Sequence, residues 1–135
     1  DFTGAVLASA LRGRKTSIKT ALLDQRVVAG VGNIYACEAL FVAGISPRRI
    51  AGNVQGKRAT TLAKSLRDVL LKAIDAGGSS INDHVSPNGE LGYFQHFFSV
   101  YGREGYPCPK CDHGTSIASI KQSGRSTFYC PSCQR

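Results

Sequence analysis

No run of apolar residues in this chain is long enough to span a bilayer, and no segment has the basic-then-apolar layout of a signal peptide. Internal repeats and low-complexity tracts are absent as well. Acidic side chains are scarce: 9 Asp and Glu stand against 17 Lys and Arg, a net charge of +8 on 135 residues. A surplus of that size suggests a polyanionic partner, although a merely basic protein would carry the same charge. With nothing to route the chain out of the cytoplasm, a cytoplasmic protein without disulfides is expected. The 5 cysteines therefore need another explanation, and 4 of them stand in two pairs. The length suits one modest domain, or one with a small metal-held appendage.

Composition changes near residue 100. Ala-, Leu- and Val-rich stretches with helical period give way to Gly, Pro, Ser, Thr and the paired cysteines. The break falls in "SVYGREGYP", where Gly102, Gly105 and Pro107 interrupt regular structure. It predicts a helical domain over 1–100 and a second unit over 101–135.

Within the first unit, "NVQGKRATTLAKSLRDVLLKAIDAGG" is the clearest helix. Ala59, Leu62, Leu66, Val69, Leu70, Ala73 and Ile74 recur at steps of three and four and should face inward. Arg58, Thr61, Lys64, Asp68, Lys72 and Asp75 should form a solvated face. Asn53 is expected as its N-cap and Gly77-Gly78 as its stop. "FTGAVLASAL" predicts a shorter first helix. "SIKTALLDQRVV" predicts another, with Ile18, Leu22, Leu23 and Val27 inward. Between Ile34 and Ala43 almost every residue is apolar, which describes a helix buried on most sides and ended by Gly44. Asn33 stands where its N-cap belongs, after a turn containing Gly30 and Gly32. A helix start of this kind suits a phosphate, and it equally suits a cap and nothing more.

"CPKC" and "CPSC" place Cys108, Cys111, Cys130 and Cys133 as C-x2-C-x18-C-x2-C. Each two-residue spacer makes a tight knuckle that turns both thiolates towards one ion, and four thiolates meet the needs of tetrahedral zinc. A redox dithiol or a mononuclear iron site is the competing assignment. A full set of four protein ligands leaves no open position, so one structural zinc is expected, with His113 a loop residue outside the ligand set. Between the pairs, "TSIASIKQSGRSTFYC" predicts a β-hairpin, with Ile117 and Ile120 on one arm and Thr127, Phe128 and Tyr129 on the other. Arg125 would then project from the tip of a finger clamped at its base. It is either a solvated turn residue or a probe for the anionic partner. Cys37, inside the apolar helix, reads as a small core thiol rather than a nucleophile.

"GVGNIYACEALFVAGISP", "GELGYFQH", "VYGREG" and the terminal "CPKC…GRSTFYCPSCQR" together closely resemble the bacterial formamidopyrimidine-DNA glycosylase family, which includes endonuclease VIII. The similarity runs through essentially all 135 residues and corresponds to the C-terminal half of such enzymes. The resemblance implies a mainly α fold, a helix–two-turns–helix DNA-binding domain followed by a four-cysteine zinc finger. It implies that Asn33, with Lys15 and Lys19 of "RKTSIK", binds phosphates beside a damaged nucleotide. Arg125 would hold the phosphates flanking the lesion and assist the second elimination at the cleaved sugar. Glu90, Gly92 and Tyr93 of "SPNGELGYFQHF" would contact the extruded base, unless that stretch is only a surface loop.

The family's chemistry depends on an N-terminal Pro-Glu pair and a further lysine in a separate β-sandwich domain. None of these is in a chain that starts "DFTGAVL". A partial gene product is therefore expected, one that binds damaged double-stranded DNA as a monomer without excising a base. The implied setting is bacterial, cytoplasmic and nucleoid-associated, and the implied intact enzyme is a glycosylase and lyase directed at oxidised purines. Two other readings compete: a zinc-ribbon adaptor that recruits another protein, and a lyase using Lys15 or Lys19 as its amine.

Overall fold

The structure, a computed structural model, describes residues 2–75, 98–111 and 114–135. Among the described residues four α-helices come first: α1 (Gly4–Leu11), α2 (Ile18–Leu23), α3 (Asn33–Ala43) and α4 (Gly56–Asp75). A single 3-10 turn, Ala51–Asn53, precedes α4, and a two-stranded antiparallel hairpin follows, β1 (Ala118–Gln122) with β2 (Arg125–Tyr129). Among the described residues no helix is long and apolar enough to cross a membrane.

Local chemistry explains the helix ends. The Thr3 hydroxyl accepts the Val6 N–H at 3.2 Å, and the Ser17 hydroxyl accepts the Thr20 N–H at 3.2 Å. Each satisfies a first-turn donor that the helix itself leaves unpaired. After α3, Gly44 turns left-handed at φ 73°. This lets Ile45 N–H reach the Leu40 carbonyl and Gly44 N–H the Phe41 carbonyl, the paired bonds of a Schellman stop. The α2 helix is shorter than its apolar pattern predicts. The Asp24 carboxylate accepts the backbone N–H of Arg26 at 2.9 Å, a local turn that competes with helix, so Val27 and Val28 fall in the following turns.

Two further expectations are corrected. Asn53 closes the 3-10 turn and does not cap α4, which begins at Gly56. Ile74 is 66% exposed. At about 100° per residue the buried stripe through Leu62, Leu66 and Ala73 leaves Ile74 beyond its edge. The proposed stop at Gly77-Gly78 lies outside the described residues.

The helical core is closed by Leu7, Leu11, Ile18, Leu22, Leu40 and Leu62, all fully buried. Each such side chain contributes about 1.5–3 kcal/mol relative to exposure. The α1 helix can lie against α4 because Gly4 has no side chain; a Cβ there would fall 2.6 Å from the Thr60 Cα. A second, smaller cluster joins Cys37 and Phe41 of α3 to Val100, Cys108, Ile117 and Cys130. The finger and α3 therefore share one core.

Candidate nucleic-acid interface and metal centre

The hairpin turns through Ser123 and Gly124, both left-handed at φ 52° and 76°. Two consecutive positive φ values match the twist of the flanking strands, which explains a serine in a conformation that usually favours glycine. Arg125 is the first residue of β2, paired with Gln122, and is exposed. Strand alternation puts Arg125, Thr127 and Tyr129 on one face, with Thr127 and Tyr129 buried.

That face meets the helices. Lys19, on α2, is fully buried, and its Nζ donates to Asn33 Oδ1 and to Thr127 Oγ1, both at 2.7 Å. The Asn33 Nδ2 donates in turn to the Ser126 carbonyl at 2.9 Å. Nearer the turn, the Thr20 and Ser123 hydroxyls are 2.9 Å apart, and Gln122 Nε2 donates to the Pro47 carbonyl at 3.0 Å. The finger is thus held at its tip as well as its base. A sequence separation of 93 or 108 residues hides such bonds from any local reading.

The structure brings Lys19 and Asn33 together, directly beneath the strand that carries Arg125. Asn33 is not the cap of α3. Gly32 takes the extended cap conformation and makes no side-chain bond, Asn33 is the first helical residue, and its amide is turned to the finger. Lys15 is exposed, on the loop between α1 and α2. Glu90, Gly92 and Tyr93 lie outside the described residues, as does His113. Burial lowers the Lys19 pKa from its usual value, and the nearby Arg125 guanidinium lowers it too, while Cys37 opposes both. Cys37 is a core residue, 1% exposed, with burial pushing its thiol up.

Two positions carry more than their sequence suggested. Glu38, a lone carboxylate in an apolar helix, is buried, and it accepts three backbone N–H groups. These come from Ser99 at 2.7 Å and from Val100 and Tyr101 at 2.9 Å. A single charge inside an otherwise apolar run was the available signal. Thr127 gave a weaker one, a hydroxyl alternating with an inward-facing aromatic residue.

The four cysteine sulfurs lie within 4.8 Å of one another, with Cys108–Cys133 and Cys111–Cys130 each at 3.8 Å. A tetrahedron with zinc–sulfur bonds of about 2.3 Å has sulfur–sulfur edges of about 3.8 Å, whereas a disulfide needs about 2.05 Å. The donor set therefore fits a tetrahedral thiolate-bound metal. Each knuckle also aims an amide at sulfur: Lys110 N–H at Cys108 and Cys133 N–H at Cys130, both 3.4 Å. Burial and the neighbouring sulfurs push the Cys133 thiol up to about 12, so a divalent cation is what allows the four to ionise together.

Known proteins share this arrangement. Residues 1–85 match the family described as formamidopyrimidine-DNA glycosylase H2TH domain, and residues 105–135 match the zinc finger found in FPG and IleRS. The formamidopyrimidine-DNA glycosylase of Rhodospirillum centenum is 62% identical over 138 residues, covering 99% of this chain and 48% of that protein. Lactococcus lactis Fpg, solved with an abasic site containing DNA, superposes with a TM-score of 0.87 at 39% identity, over 100% of this chain and 49% of that one. A mutant of the Lactococcus lactis protein, solved with a Fapy-dG containing DNA, gives 0.87 at 38% identity, again over 100% and 49%. The chain spans about half the length of the curated relatives it matches. The cysteine tetrahedron is the structural zinc centre of this finger. With helices, finger and family pattern agreeing along its length, the chain belongs to the formamidopyrimidine-DNA glycosylase family.

Proposed function

We propose that this chain is the strand-gripping portion of a base-excision glycosylase and lyase that acts on oxidised purines in duplex DNA. The observation that carries the reading is the convergence of Asn33, Lys19 and the Arg125-bearing strand on one side of the molecule. Arg125 presents a planar, permanently charged fork suited to phosphate oxygens. Lys19 contributes its charge from below the surface, and Lys15 meets a further phosphate from the loop ahead of α2. Zinc holds the finger in shape and leaves no site for a substrate.

In this reading the amine that attacks the damaged nucleotide belongs to residues outside this chain. Alone, the chain binds as a monomer to nicked, abasic or kinked duplex and releases no base. Arg125 assists the second elimination in the intact protein. The region of Glu90, Gly92 and Tyr93 takes the base.

Salt titration on an abasic-site duplex is the test. With the charges of Lys15, Lys19, Arg125 and one or two further basic residues acting on phosphates, Lys19 from beneath the surface, log K should fall against log salt with a slope of roughly −3 to −5. Arg125→Ala should make the slope shallower by about 0.9 and leave zinc content and melting unchanged. A flat salt response, or 8-oxoguanine released by the purified chain, would refute the assignment.

A further inference from the structure

Thr127 lies within "GRSTFYCPSCQR", where the family resemblance gives it no role, yet it is fully buried and receives one of the bonds that hold Lys19 in place. A buried ammonium needs acceptors. Lys19 has two neutral ones, the Asn33 amide oxygen and the Thr127 hydroxyl, each at 2.7 Å. The bond to Lys19 also decides which way the Asn33 amide points. With Oδ1 engaged by an ammonium, Nδ2 must face the finger, where the Ser126 carbonyl accepts it at 2.9 Å. One cation thus fixes a helix-start amide, and one strand hydroxyl fixes the cation.

We infer that Thr127 is a positioning residue for DNA binding, holding the Lys19 charge and the Asn33 amide in register with Arg125 two residues away. This rests on the strand-gripping reading above. Thr127 itself touches no DNA, because it is enclosed between β2 and α2. Its action passes through Lys19. A finger displaced from the helices would leave Arg125 chemically intact but out of step with Asn33. Only the Thr20–Ser123 hydroxyl contact and the Gln122–Pro47 bond would then register the tip.

The test compares Thr127→Val, which keeps the shape and deletes the hydroxyl, with Thr127→Ser, which restores it. The chain is used with zinc bound, against a duplex containing a tetrahydrofuran abasic analogue. Thr127→Val should bind about tenfold more weakly, and Thr127→Ser should recover most of that loss. A second readout is the 15N resonance of the Lys19 ammonium, which a buried, doubly bonded group should show sharply in the free chain at neutral pH. Thr127→Val should broaden it beyond detection while the Cys-knuckle amide signals stay in place.

Equal affinity of Thr127→Val and wild type overturns the inference, as does a serine variant no better than valine. If valine instead releases zinc, the wild-type ammonium signal decides: its absence overturns the latch and its presence supports it. A wild-type chain that fails to bind the duplex sinks the strand-gripping reading. Binding that ignores the Thr127 hydroxyl sinks only this one.

Discussion

The helical region and the finger solve the problem of order in opposite ways. Residues 2–75 bury leucines from α1, α2, α3 and α4 against each other and satisfy their helix ends with nearby hydroxyls and backbone groups. The finger has almost no apolar interior of its own. Its cluster is completed by Cys37 and Phe41 of α3, its knuckles by metal, and its tip by Lys19, Thr20 and Asn33. A region that stands on local burial can be read from hydrophobic period. One that stands on borrowed contacts cannot, and its function is tied to the surface that lends them. Arg125 is placed by the helices as much as by zinc.

Removing zinc should break the comparison most completely. A chelator strong enough to strip four thiolates should abolish the β-hairpin signals while the helical circular dichroism band keeps most of its intensity. So small a segment, with so little apolar area of its own, cannot repay its ordering entropy without the metal. DNA affinity should fall with the finger. If the helices melt together with the hairpin, the shared core matters more to them than their own leucines, and the contrast between the regions fails.

The next largest effect is expected at Glu38, where the helical region holds the chain that leads into the finger. Glu38→Gln removes one carboxylate oxygen and presents an NH2 group to amides that themselves donate. The loss should be about 2–3 kcal/mol, as hydrogen bonds to a buried charge are replaced by an unpaired donor. The pH dependence has a definite sign. Burial lifts the folded pKa of Glu38 above the ordinary 4.5, against the pull of the three amides and of Lys72. Its contribution is therefore fully present below that ordinary value and is lost as pH rises through the folded one. Denaturant unfolding of the zinc-bound chain, followed as pH rises above 4.5, should show that decline in wild type and a flatter profile in Glu38→Gln.

The same contrast explains how far the sequence could be read. The stripe through Leu62 and Leu66 predicted α4, Gly44 predicted the end of α3, and the spacing of Cys108, Cys111, Cys130 and Cys133 predicted the metal centre. Each signal is local, set by period or by a turn of two or three residues. Asn33 reads as a cap in sequence, but a residue's type shows what it can bond, not which of two partners it takes. Here Gly32 supplied the cap conformation and the finger supplied the partner. The grip on the hairpin tip by Thr20 and Lys19 spans about a hundred positions of sequence, and no periodicity records it.

Gln134 offers the finest way to sharpen the comparison, because it joins the two regions with a single side chain. It is 3% exposed, accepts the Cys130 N–H at 2.8 Å and donates to the Ile45 carbonyl at 3.0 Å. One end therefore supports a metal knuckle and the other the residue that closes α3. Arg135 continues the join, its N–H on the Gly44 carbonyl at 3.0 Å and its carbonyl accepting Ser46 N–H at 3.1 Å. Gln134→Ala leaves a buried donor and a buried acceptor unpaired, which should cost about 1–3 kcal/mol. Gln134→Glu keeps the acceptor for Cys130 and sets a carboxylate against a carbonyl at Ile45, so it should loosen the helical side more than the zinc side. In wild type, the finger, which leans on the helices, should keep its zinc on heating until the helices melt. In Gln134→Ala zinc release and helix melting should separate, the finger letting go first. A variant whose two transitions stay superimposed would mean that the Phe41–Ile117 cluster, and not this amide, couples metal to helix.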